Sequence, residues 1–252
     1  MTATATSGRA RPALLAIVGY TLRACLPGRR WVGILIPAAA SLLFGFISST
    51  VDDTAVSAFA SVASNALFSL VLPVTCLVIG DAVLGAEVRS GSFTFTWMSP
   101  VPTWQIAVGR WLGGSIAAAG CLAVAFAAAA VVAGAGESAG SVAIAAVFGA
   151  QAYVAVFIAI GCITKRAAVW SLAFVFLVER LLGAALAGIA QLSPSWEARA
   201  AFIGLADSRE DFIREGIPHG GAALVRLTLI SVVALILASR RLHTLKLTGS
   251  SD

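Results

Sequence analysis

The sequence predicts an all-helical integral membrane protein, and three observations carry that reading. Of its 252 residues, 59% are apolar and only 12% are charged. Soluble domains average about 45–50% apolar and about 25% charged. The apolar residues gather into runs of roughly the ~20 residues that a helix needs to cross a bilayer. The basic residues collect in the links between the runs rather than along them, which is the pattern of membrane topology and not of nucleic-acid binding. The net charge of +5, from 15 Arg, 2 Lys and 12 acids, is therefore assigned to anionic headgroups and orientation.

Residues 1 to 12 are polar and read as disordered, with no convincing cleavage site for a signal peptide. Ala13 to Leu26 is a short apolar run with Arg9 and Arg11 before it and Arg29 and Arg30 after it. As a helix it is about 21 Å long, short of the ~30 Å hydrocarbon core. The expectation is an amphipathic inner-surface helix with Tyr20 and Arg23 toward the headgroups.

Six longer runs follow: Trp31 to Ser49, Val56 to Gly80, Ile106 to Val132, Val142 to Ile163, Ala167 to Gln191 and Ala222 to Ser239. Pro73 marks a kink in the second. Gly109 and Gly113 open the third with a small-xxx-small pattern that lets helices approach closely. With the N-terminus inside, twelve basic residues fall on the inner side: Arg9, Arg11, Arg23, Arg29, Arg30, Arg89, Arg110, Lys165, Arg166, Arg240, Arg241 and Lys246. Only Arg199, Arg209 and Arg214 fall outside. The reading is one transmembrane domain over 1-252. It has a cytoplasmic N-terminal segment (1-30), a six-span bundle (31-239) and a cytoplasmic tail (240-252). The largest outer link, 192 to 221, interleaves Trp196, Phe202, Ile203, Phe212 and Ile217 with charges. Asp207 and Glu210 suggest a helix start there, and short helices resting on or dipping into the outer leaflet are expected.

The cysteines, Cys25, Cys76, Cys121 and Cys162, are far apart and form no metal-ligand spacing; they read as packing residues. His219 and His243 have no carboxylate or cysteine constellation around them. Gly134-Ala-Gly-Glu-Ser-Ala-Gly140 lacks the lysine of a phosphate-binding loop. No catalytic, cofactor or metal residues are assigned. Glu179 and Arg180 lie in the middle of the fifth run and Arg226 near the outer end of the sixth. Charges at such depth cost about 2.5–3.5 kcal/mol each on insertion scales and need partners. A Glu179–Arg226 tether between spans is expected, with a role lining a transport path as the alternative.

The link after the second run differs from every other. It carries Glu87, Arg89, Gly91, Ser92, an alternating Phe93/Phe95/Trp97 stripe, then Ser99, Pro100 and Val101, and Arg110 some ten positions on. With six spans and a preceding surface helix, this resembles the permeases of ATP-binding-cassette exporters of the ABC-2 type. Their inner loop after span two typically reads acid-x-basic-x-Gly-Thr, then Ser-Pro-Val, then a basic residue. Ser92 stands here for the usual threonine, and Pro102 is extra. The resemblance implies a cytoplasmic coupling loop that docks on a separate ATPase, which would bind the ATP and magnesium. It also implies a second permease copy, a bacterial plasma-membrane location with both termini cytoplasmic, and export of a small amphiphilic or drug-like substrate. Glu87 would then face a basic or amide group of the ATPase. An ATP-independent secondary transporter or channel and a membrane-embedded enzyme are the rival readings; inverted repeats or broken helices would favour the former.

Overall fold

The computed structural model describes residues 13–25, 32–50, 54–85, 87, 101–164, 166–182, 191–206 and 219–244. Every element among them is helical. In chain order they are α1 (Ala13–Cys25), α2 (Val32–Ser48), α3 (Ala55–Val83), α4 (Thr103–Val132), α5 (Ala139–Ile163), α6 (Ala167–Ala173, prolonged by Phe174–Leu182), α7 (Pro194–Leu205) and α8 (Gly221–Thr244). Four are long and apolar enough to cross a membrane: α3, α4, α5 with its leading turn, and α8. Three shorter apolar stretches, Ala13–Cys25, Leu35–Ser48 and Ala167–Leu177, fall below that length.

The interior of α3 departs from the plain kink that Pro73 suggests. Its residues Ala63–Val71 wind as wide π turns immediately before the proline, and Ser69 Oγ donates to Ser64 O five residues back at 2.9 Å. A proline has no N–H and crowds the carbonyl four residues earlier. Widening the preceding turns relieves that clash while the helix continues.

α5 is the central helix, packed by α3, α4, α7 and α8. Its small residues let neighbours approach: Ala145, Ala146, Ala150, Ala152 and Ala155 are fully buried. One core cluster draws on residues from Cys25 to Leu242. Its aromatic centre comes from three helices. Phe68 of α3 meets Phe126 of α4 edge-on at 5.5 Å, and Phe202 of α7 lies 5.6 Å from Phe68 and 6.1 Å from Phe59.

α7 is thus not a helix lying on the surface. Its sequence Ser193-Pro194-Ser195-Trp196 is a helix start: Ser193 Oγ accepts from Trp196 N, and Pro194 occupies a first-turn position whose N–H would have no partner. Ala198, Ala201 and Phe202 are wholly buried. The small residues of one face and the large Phe202 together fill the space between α3, α5 and α8. Asp207 and Glu210, the expected start of a helix, lie outside the described residues.

Outside the core the surface is apolar. Val225, Leu229, Val232, Val233, Ile236 and Leu237 project from α8, and Val124 and Val131 from α4. Apolar outer faces of this kind suit hydrocarbon.

α1 docks lengthwise on the start of α4. A Cβ on Gly109 would meet Ile17 Cγ2 at 2.8 Å, and one on Gly113 would meet Thr21 Cβ at 2.7 Å. The contact advances four residues along both helices, so they run in the same sense. The small-xxx-small pattern of α4 is therefore the seat of α1. Arg23 is exposed, as the sequence reading expects. Tyr20 is exposed as well, and its hydroxyl is taken up by a carboxylate.

Candidate functional site

Two polar clusters interrupt the apolar bundle. The first joins the end of α3 to the beginning of α4. Arg110 sits two turns into α4 and is only 3% exposed. Its Nη2 donates to Glu87 Oε2 at 2.7 Å, and its Nη1 donates to Val83 O at 2.5 Å. The second bond ties α4 to a backbone carbonyl near the end of α3. From the other side Tyr20 of α1 donates to Glu87 Oε1 at 2.9 Å, and the guanidinium lies 5.7 Å from its ring centre. Both carboxylate oxygens of Glu87 are thereby engaged within the chain.

The phenol of Tyr20 is pushed above its usual range, first by its hydrogen bond to Glu87 and then by the carboxylate charge. It stays neutral and remains a donor throughout the neutral pH range. Within the chain, then, Glu87 already pairs with Arg110 and Tyr20. Arg110, which the resemblance placed at the far end of the loop pattern, folds back onto it, because a near-buried guanidinium must find a counter-charge locally. The rest of that pattern, Arg89, Gly91, Ser92, Phe93, Phe95 and Pro100, lies outside the described residues.

The second cluster surrounds the N-terminal end of α7. Tyr153 of α5 is fully buried and donates to Glu179 Oε2 at 2.5 Å. Ser195 donates to the same oxygen at 3.1 Å and shares a 2.8 Å hydrogen bond with Ser193. The first turn of a helix favours a nearby carboxylate through its exposed N–H groups. Beside this, Arg226 of α8 donates to Glu197 at 3.3 Å and to Gln191 at 3.4 Å. Glu197 is completely buried, and its Oε2 has no hydrogen-bond partner among the described residues.

Glu179 and Arg226 are therefore not partners. The insertion of α7 supplies each with a different one: the Ser195 hydroxyl for Glu179 and Glu197 for Arg226. Sequence reasoning missed Tyr153, Ser195 and Glu197, because it left the segment around 194 outside the bundle. The helix-start signal at Ser193-Pro194 was the available clue. The backbone of Arg180 lies in the wide turns Phe174–Leu182; its side chain is outside the described residues.

Among the described residues no three His, Cys, Asp or Glu side chains gather at metal-binding distance. The first cluster is a mechanical junction of three segments, and the second ties four helices around an acid. No family model matches the chain, and no curated protein matches it either.

Proposed function

We propose that this chain is the membrane-spanning permease subunit of an ATP-driven exporter resembling the ABC-2 type. In this reading six helices cross the bilayer, with α2 and the stretch from Ala167 onward completing the four longer spans, and both termini face the cytoplasm. A separate ATPase binds ATP and magnesium, and a second permease copy forms the other half of the path. The cargo is a small amphiphile, moved by alternating access.

The observation that carries this reading is the Glu87–Arg110 ion pair. It joins Glu87, beyond the end of α3, to Arg110 of α4, 23 residues on in the sequence. α4 is about 45 Å long, more than the ~30 Å core, so its first turns can extend beyond hydrocarbon. Through this near-buried pair a force applied near Glu87 reaches α3 and α4 together. Tyr20 extends the same junction to α1.

The experiment is to ask whether a Walker-motif ATPase is encoded beside this chain, and then to co-express the two and measure co-purification, ATP hydrolysis and export. Gly91→Val and Phe93→Ala should leave membrane levels unchanged, weaken co-purification and reduce export. Interface aromatics are worth about 2 kcal/mol or more when they are hot spots. Full association and full export in both variants would remove the support for a coupling loop.

One observation favours a second reading, an ATP-independent transporter. The wide turns in α3 and α6 and the inserted α7, with an acid at its N-terminal end, are the kind of broken helical structure that such carriers use around their cargo. Transport that persists in cells lacking any partner ATPase would select it.

A further inference from the structure

Between the end of α5 and the outer face of α6 runs an open apolar groove of about 590 Å³. Its walls are two stripes at helical spacing. One is Ile160, Ile163 and Thr164; the other is Trp170, Phe174 and Leu177. Ile163, Trp170 and Leu177 are 62%, 59% and 56% exposed, so the groove is open to its surroundings. Among the described lining residues Thr164 brings the sole hydroxyl, and its Oγ1 already accepts from the N–H of Arg166 at 3.2 Å. The other described walls are hydrocarbon and indole.

The link that joins the two walls is basic. Arg166 sits at the N-cap of α6, one turn before Trp170 and on the same helical face, and it is exposed. Lys165 precedes it in the sequence. A ligand that matches this site has a long apolar body and a single anionic end. Basic residues at the mouth of a cleft between membrane helices select anionic headgroups in this way.

We propose that the groove is a binding site for an anionic phospholipid. One acyl chain lies between Ile163 and Trp170–Leu177, and the headgroup phosphate is held by Arg166. The inference rests on the chain being membrane-embedded, with the link at 164–166 near the bilayer surface. It does not rest on the exporter assignment, and its test involves no ATPase, so the two readings fail separately.

The test uses the full chain, purified in detergent, stripped of lipid and given either phosphatidylglycerol or phosphatidylcholine. Native mass spectrometry reads the retained lipid, and thermal unfolding reads the stabilisation. The expected result is retention of phosphatidylglycerol at least about fivefold tighter than phosphatidylcholine, the ratio corresponding to one basic contact with an anionic surface. Arg166→Gln should reduce phosphatidylglycerol to the level of phosphatidylcholine, while Arg166→Lys should keep most of the preference. Ala173→Trp, which fills the groove, should abolish retention of both lipids while the protein stays folded. Equal retention of the two lipids by the wild type would overturn the proposal. So would unchanged preference in Arg166→Gln or unchanged retention in Ala173→Trp. A lipid-free dimer that Ala173→Trp dissociates would assign the groove to a second copy of the chain and overturn it too.

Discussion

Gly113 of α4 lies so close to Thr21 of α1 that a methyl group there would stand 2.7 Å from Thr21 Cβ and 3.0 Å from the carbonyl of Val18. The carbonyl belongs to helix backbone and cannot turn aside. Gly113→Val should therefore push α1 away, with an overpacking cost of about 1–3 kcal/mol. Cys25, at the end of α1 and 4% exposed, reports on it. In a Cys121→Ala background, maleimide labelling of Cys25 should accelerate and the melting temperature should fall. Unchanged labelling and melting would mean that α1 is not held by this contact.

The junction of Glu87, Arg110 and Tyr20 makes a graded prediction. Glu87→Ala leaves Arg110 near-buried without its counter-charge, and breaking such a pair costs about 3–5 kcal/mol. Glu87→Ala combined with Arg110→Met should be more stable than Glu87→Ala alone, since the orphaned charge is gone. Tyr20→Phe should cost about 1 kcal/mol, because its hydrogen bond is exposed. The Tyr20 phenol is raised, so its contribution is complete below pH 10.0 and is lost as pH climbs through the raised value. Thermal unfolding of the four proteins between pH 6 and 9 should give the same ranking at each pH.

For the second cluster the charges separate cleanly. Arg226→Leu strands the fully buried Glu197 and should be severe, about 3 kcal/mol or more. Exchanging Glu197 and Arg226 should recover part of that loss, and exchanging Glu179 and Arg226 should recover none. Glu179→Gln keeps an acceptor for Tyr153 and Ser195, so it should cost only about 1 kcal/mol. Expression level and melting temperature of the purified variants are the measurements. Full rescue by the Glu179/Arg226 exchange would contradict the observed pairing.

Orientation can be probed at the turn between α4 and α5. Ser138 is only 2% exposed and its neighbour Glu137 is exposed, so the reporter belongs at 137. A cysteine at Glu137 should label with an impermeant reagent from outside intact cells, and one at Ser90 should label only after permeabilisation. The opposite pattern would invert the bundle and remove the coupling segment from the cytoplasm.

The amino-acid sequence alone determined the helical class, the place of the four long spans and the isolation of the 85–111 segment. Each follows from local chemistry: run length, mean apolarity, and where arginines interrupt. Gly109 and Gly113 could be read as a close-packing seat for the same reason, though not what sits there. The tertiary structure alone decided the partners. Tyr20 reaches Glu87 across 67 residues, and α7 enters the bundle and divides Glu179 from Arg226. A buried charge requires a partner wherever the fold can bring one, and that requirement names no sequence position. Which group answers it depends on helices packed from distant parts of the chain, a relation that periodicity and spacing within one segment do not contain.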